Sequence, residues 1–341
     1  MSFEIYPADF STRYEIRHAI SAIMTVHYND IGKLVLVAPA SDYNIAAFKV
    51  GNMLYDTERD ATFYIANSKV ETNTNRITAY GYTTNWLLNR RCIAEPYTMT
   101  NIESGVYDVI NANLRGMTRI ETAEAEGLNE ETNVILNGEQ LLDAVQPYME
   151  EAQLGHKMIW DADRLVHIFK VYKGNDLTEG IHAVVFSEEQ GTAQDLVIND
   201  DDSTMKNVAY VTGTLNDETE FVEMVGEATG DDRREVWLKT SVFQEYEETP
   251  EDCKARAIAY ATMELGKRIR RLSFTVTVDP SELGVMYSLG DVVACVSVRF
   301  GVSFTARITG IKYTLDNRNT KTEIILGEPI LTALGEMKLN G

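Results

Sequence analysis

The most constraining feature of this sequence is how tightly short strand-like runs are packed into its first hundred residues. Ala19 to Tyr28 (AISAIMTVHY) and Lys33 to Val37 (KLVLV) are rich in β-branched and apolar residues. Asn52 to Thr57 (NMLYDT) and Thr62 to Asn67 (TFYIAN) follow after short polar gaps. Asn73-Thr74-Asn75 separates Lys69-Val70-Glu71 from Arg76-Ile77-Thr78-Ala79-Tyr80, a polar turn between two alternating runs and so a hairpin. Ser41 is placed to cap a short helix with Ile45 and Phe48 inward. Short strands at this spacing predict a barrel-like β domain over residues 1–100.

The period then changes. Ile102, Val106, Val109, Ile110 and Leu114 recur at helical spacing, and the acidic stretch Glu121 to Glu131 reads as an exposed strand or loop. A second helix is expected from Asn137, as cap, to Ala152, with Leu141, Leu142, Val145 and Met149 as its stripe and Pro147 as a kink or stop. Lys157 to Asp161 and Leu165 to Tyr172 flank the turn Ala162-Asp163-Arg164. Residues 101–182 therefore read as a small α+β unit.

Strand patterns return over residues 183–330, at Ala183 to Phe186, Asp195 to Asn199, Lys206 to Thr212 and Glu220 to Val225. One long helix is marked over residues 249–271. Thr249 caps it, Pro250 takes the first position, and Glu251 and Asp252 face its positive end. Ile258, Thr262, Leu265, Ile269 and Leu272 are expected on its buried face, with Lys267, Arg268, Arg270 and Arg271 at its negative end. Ser273 to Val278 alternates strictly, and Gly290-Asp291 is a tight turn before Val292. Ser303 to Ile311 and Glu323 to Gly327 complete a meander, joined by the turn Asp316 to Asn319, and residues 331–341 form a short tail. The fold class is α+β, mainly β: two barrel-like β domains, an inserted α+β domain and one long helix.

Composition narrows function. The net charge of −21 disfavours nucleic-acid binding and suits a solvated or DNA-repelling surface. No apolar stretch has the length of about eighteen residues that a membrane helix needs. The start, Met1-Ser2-Phe3-Glu4-Ile5, lacks the pattern of a signal peptide, so folding in the cytoplasm is expected. Cys92, Cys253 and Cys295 are far apart and read as buried small hydrophobes, with no zinc-ligand spacing.

Enzyme signatures do not stand out. The sequence has no G-x-S-x-G, HExxH, Walker or G-x-G-x-x-G motif. His167 sits in an apolar strand (LVHIFKVY) and reads as a structural histidine with its hydrogen bonds satisfied. Asp200-Asp201-Asp202-Ser203 offers oxygen ligands but lacks a calcium-loop pattern, so a solvated loop is expected there. No cofactor and no metal are expected.

Three runs carry a resemblance. Gly81-Tyr82-Thr83-Thr84-Asn85-Trp86-Leu87-Leu88-Asn89-Arg90-Arg91-Cys92-Ile93 follows a hairpin strand, Val50-Gly51-Asn52-Met53-Leu54 follows a short helix, and Tyr287-Ser288-Leu289-Gly290-Asp291-Val292-Val293 comes late. In order and spacing they resemble bacteriophage tail-hub proteins: the N-terminal region of siphophage tail-associated (Tal-like) proteins and the contractile-tail hub or late-control D-like fold. The resemblance implies a non-enzymatic structural protein of the virion tail tip. It implies a homotrimer forming a ring between the tail tube or distal tail protein and a spike or fibre protein, with DNA passing through unbound. Trp86, Leu87, Leu88, Arg90, Arg91, Gly290 and Asp291 are its expected structural and interface residues, the arginines pinning carbonyls or carboxylates. Two other functions fit the same residues: a component of the particle that degrades or binds cell-wall carbohydrate, and the hub of a phage-derived injection device or bacteriocin.

Overall fold

The structure, a computed structural model, describes residues 3–16, 18–246, 248–266, 268, 271–299, 301–316, 320–327 and 330–331. The chain divides into two compact units, one of residues 1–197 with 274–341, the other of residues 198–273.

The first unit opens with strands β1 (Phe3–Tyr6), β2 (Tyr14–Ile16), β3 (Ser21–His27) and β4 (Lys33–Pro39), helix α1 (Asp42–Ala47), and strands β5 (Met53–Asp56), β6 (Ala61–Glu71) and β7 (Arg76–Thr83). The expected hairpin is β6–β7, with Glu71 opposite Arg76 and Asn75 at φ 52°. Ser41 caps α1 by accepting from the Asn44 N–H. Phe48 is buried, but Ile45 points outward, because Ala47 takes the inward position on this short helix.

A 3-10 helix, Thr84–Arg90, leads into β8 (Tyr97–Asn101), α2 (Ile102–Asn113), β9 (Ile120–Thr122), β10 (Glu131–Leu136), α3 (Leu141–Glu151), β11 (Gly155–Asp161) and β12 (Val166–Tyr172). The stripes of α2 and α3 share one core with Leu88, Phe169 and Val171. The acidic loop after β9 is pinned by buried Glu103, whose carboxylate accepts from the N–H groups of Glu126, Gly127 and Leu128. The second helix begins at Leu141, not after Asn137: Gly138 at φ 76° cannot start a helix, and Gln140 is the N-cap residue. Pro147 lies inside the helix without ending it.

Beyond β13 (Val185–Phe186) and β14 (Asp195–Asp201), the second unit holds β15 (Val208–Thr214), β16 (Glu220–Val225), β17 (Glu235–Phe243) and α4 (Pro250–Gly266). Strand β17, which the alternation did not mark, pairs parallel to β15. Helix α4 stops at Gly266 rather than 271, and Arg271 already belongs to the next strand. Its buried face is also different. Cys253, Ala257 and Ala261 pack on the sheet while Ile258 is exposed, because small side chains let the helix axis approach the strands. Arg268 donates to the Glu264 carbonyl near the helix end. Lys267, Ile269, Arg270 and the turn residues 317–319 lie outside the described residues, as do 332–341 of the tail.

The chain continues with β18 (Arg271–Val278), within which the first unit resumes at Phe274, and then β19 (Val292–Ser297), β20 (Val302–Asp316), β21 (Thr320–Leu326) and β22 (Ile330–Leu331). Strand β20 organises the sheet. Its first half pairs with β19, and its second half, from Gly310 to Asp316, pairs with β3 from His27 to Ser21. One antiparallel path, β18-β21-β20-β3-β4-β7-β6-β5-β1-β2, therefore joins strands from both ends of the chain. The α+β, mainly β class expected from the sequence is the class observed. Among the described residues this path is open, with no pair closing it into a barrel.

Cys92 is exposed, whereas Cys253 and Cys295 are buried. The exposure of Cys92 follows from its place after the 3-10 helix, where its backbone is held by an isolated bridge to Gln140 and by Arg115 donating to its carbonyl. No helix among the described residues is long and apolar enough to cross a membrane. Among those residues no group of three His, Cys, Asp or Glu could hold a metal ion.

Candidate functional site

The sequence-selected residues fall in two places, both in the first unit. The first is the 3-10 helix after β7. Trp86 stacks on Tyr64 and Tyr82, each at 5.4 Å between centroids. The Arg90 guanidinium lies over Tyr64 at 4.3 Å and over Trp86 at 5.3 Å. Leu88 is fully buried in the core of α2 and α3, and Leu87 packs against it. Arg91 donates from Nε to the Leu114 carbonyl at the end of α2, and its own carbonyl accepts from the Leu141 N–H. Arg91 thus ties the two helices together, while Arg90 engages only ring faces among the described residues.

Asn89, between them, does work that the sequence did not reveal. Its Oδ1 accepts from the N–H groups of Leu142 and Asp143, and its Nδ2 donates to the Asp143 carboxylate at 2.6 Å. It caps α3 from 53 residues away. A cap borrowed across the chain leaves no trace in local spacing.

The second place is the turn before β19. Gly290 has φ 99°, and a Cβ there would stand 2.3 Å from the Tyr28 ring. Asp291 is buried. Its Oδ1 accepts from the Asn175 N–H at 2.8 Å and its Oδ2 from the Ser288 N–H at 2.7 Å. This ties the segment leaving β12 to the start of β19.

Tyr28 is the centre of that junction. Its hydroxyl accepts from the Gly174 N–H and donates toward the Gln153 and Tyr172 carbonyls, at 3.0 and 3.2 Å. Its ring meets Tyr172 edge-on at 5.1 Å, and the Arg307 guanidinium stands 5.2 Å from it. Glycines at 155 and 290 make room, since a Cβ on either would enter the ring. Burial raises the pKa of Tyr28 and, more strongly, of Tyr172. Tyr28 lay unmarked inside a strand-like run, because a buried tyrosine with long-range partners looks like any other strand residue.

Two buried histidines flank these places. His156 stacks on Phe169, and its Nδ1 lies 3.2 Å from Asn85 Nδ2. His167 packs 4.7 Å from the Trp160 ring. Burial pushes both down to about 4; for His156, Asp30 and the Asn29 carbonyl pull weakly the other way. His167 is structural but not satisfied: its Nδ1 has no hydrogen-bond partner, because its neighbours are Trp160 and strand residues.

No curated protein matches the sequence. Several solved structures share the fold. A tail protein from Neisseria meningitidis MC58 is 13% identical, with 96% of each chain covered and a TM-score of 0.55. Prophage tail protein gp18 from Listeria monocytogenes EGD-e is 11% identical over 100% of both chains, at 0.54. The 43 kDa tail protein of prophage MuSo2 from Shewanella oneidensis is 11% identical, covering 96% of this chain and 98% of that one, at 0.57. A family model described as Siphovirus ReqiPepy6 Gp37-like protein matches residues 2–328, and the chain, with its phage tail-protein fold, belongs to that siphovirus family.

Proposed function

We propose that this chain is a structural hub of a phage or prophage tail tip, without enzymatic activity, acting as a homotrimer. It would join the tail tube or distal tail protein to a spike or fibre protein. The observation that carries this reading is the family match over residues 2–328, together with a fold shared along nearly the whole length of solved tail proteins. On this reading the virion tail tip is where it resides. The −21 charge would line a channel through which DNA passes unbound. The division into residues 1–100, 101–182 and 183–330 is proposed as its working organisation.

The state of the buried acids favours a structural over a catalytic role. Glu103 and Asp291 are consumed by backbone N–H groups, and Asp56 is paired with Arg59 at 2.9 Å. Trp86, Leu87, Leu88, Arg91, Gly290 and Asp291 are proposed as the framework that holds the hub in shape, and Arg90, on the exposed side of its ring stack, as an intersubunit contact.

Light scattering across concentration at moderate salt tests the reading. A mass near three times 38.3 kDa supports it. A stable dimer contradicts it and directs attention to wall-sugar hydrolysis.

A further inference from the structure

Strands β3, β4 and β7 turn only one of their faces to the core. Ala22, Met24, Leu34, Leu36, Ile77 and Ala79 are buried, so Ile23, Val35, Val37 and Tyr80 point the other way by alternation. Those four stand together. Val35 lies directly opposite Ile23 on one side and Tyr80 on the other, and Val37 is two residues further along β4. Ile23 is 43% exposed and Tyr80 40%, while Val35 and Val37 are half-buried, so no element among the described residues closes over this face. An antiparallel sheet with one face in water ordinarily carries polar residues there. On this face the polar groups are at the margin.

That margin is mostly positive. Lys33, Lys69, Arg76, Lys312 and Lys321 follow the same alternation from strand to strand. Arg90 extends the face where the Trp86 stack lies on Tyr64 and Tyr82. Against these six cations stand three carboxylates, those of Glu71, Asp316 and Glu323. Glu323 is shared by Lys312 and Lys321, at 3.0 and 2.9 Å, and Glu71 pairs with Lys69 at 2.6 Å. Lys33 and Arg90 make no ion pair among the described residues. A surplus of three positive charges on one face of a chain of net charge −21 leaves the whole acidic excess on its other surfaces.

An apolar centre inside a polar rim is the anatomy of a protein interface. Two copies of this face do not suit each other about a twofold axis, because lysines and arginines would meet across it. The complement is an acidic surface, which every copy of the chain carries. Contact between two different patches of identical chains is heterologous, and such contacts close into a ring when the rotation between neighbours allows.

We infer that this face docks on an acidic surface of a second copy of the chain, with Ile23, Val35, Val37 and Tyr80 at the centre of the contact and the basic rim paired with the neighbour's carboxylates. The inference rests on the hub reading for the existence of an oligomer and names the surface that builds its ring.

Two measurements on the full chain test it. In the first, ordinary and isotope-labelled chains are mixed and treated with a zero-length carbodiimide, which joins a lysine to a carboxylate in direct contact. Cross-links between the two kinds of chain should run from Lys33, Lys312 or Lys321 to acidic peptides of the other copy. In the second, light scattering across concentration compares the wild type with two double variants, Ile23→Ser with Tyr80→Ser and Lys33→Glu with Arg76→Glu. All four positions are exposed, and thermal melts confirm folding. Each double variant should raise the dissociation constant at least about tenfold. Added salt should weaken the wild-type contact more than that of the charge variant. The same effects in a closed ring of another number keep the inference and remove the trimer from the hub reading. A trimer that both double variants leave intact, with no mixed cross-link from these lysines, overturns the inference and leaves the hub reading standing. A monomeric wild type overturns both. A DNA duplex that binds through Lys33 and Arg76, with the mass of the charge variant unchanged, overturns the inference in favour of a nucleic-acid surface.

Discussion

Acid should unfold the first unit through His156 and His167. Each folded-state pKa is about 4 against an ordinary 6.5, because each ring is buried and the charged form loses its hydration. The folded pKa is depressed, so the stability that comes from the neutral ring is complete above about pH 6.5 and drains away as pH falls toward 4. Each histidine then contributes a slope of about 1.4 kcal/mol per pH unit. Between pH 6.5 and 5 the pair removes about 3 kcal/mol, a large part of the stability of an ordinary domain. Asp56 works in the opposite sense: burial raises its pKa, with Arg59 opposing, so it offsets part of the loss at the acid end. Urea midpoints should be measured at pH 7, 6 and 5 by tryptophan fluorescence in a Trp237→Phe background. The remaining tryptophans, Trp86 and Trp160, then report the first unit alone. His167→Phe should remove about half of the pH slope whatever it does to absolute stability. An unchanged slope in that variant, or a wild-type midpoint that does not fall between pH 7 and 5, refutes the reasoning.

Three further outcomes follow from the packing. Gly290→Ala should destabilise by about 3 kcal/mol or more in thermal melts, because its φ of 99° and the Tyr28 ring 2.3 Å from a Cβ leave no room for relaxation. Trp86→Ala should cost about 2–3 kcal/mol through the lost Tyr64–Trp86–Tyr82 stack, whereas Arg90→Ala should cost less than about 1 kcal/mol in urea unfolding. An Arg90→Ala chain that melts normally but no longer self-associates would assign that side chain to a subunit contact. Asn89→Ala should lower the urea midpoint by about 1 kcal/mol, the worth of a helix cap, and Asn89→Asp should restore most of it.

Local rules determined much of this protein. Alternation placed β3, β4, β6, β7 and β21, and the 3.6-residue stripe placed α2 and α3, because each element buries one face and its sequence records which. Ser41 and Thr249 marked helix starts through hydroxyls that accept an N–H three residues on. The resemblance to tail hubs was legible in the runs around Leu87-Leu88 and Gly290-Asp291 because side chains that must fit a fixed backbone recur in order.

Tertiary structure decided the rest. The burial of Cys253, Ala257 and Ala261 in place of Ile258 depends on how closely a helix can approach its sheet, which hydropathy does not encode. The capping of α3 by Asn89, the pairing of β20 with β3, and the convergence of Gly155, Gly174 and Gly290 on Tyr28 all join residues far apart in the chain. A sequence read locally records which face of an element is apolar, but not which distant backbone will stand 3 Å from a given hydroxyl. That choice is made only when strands from both ends of the chain pair and set which backbone groups each buried side chain can reach.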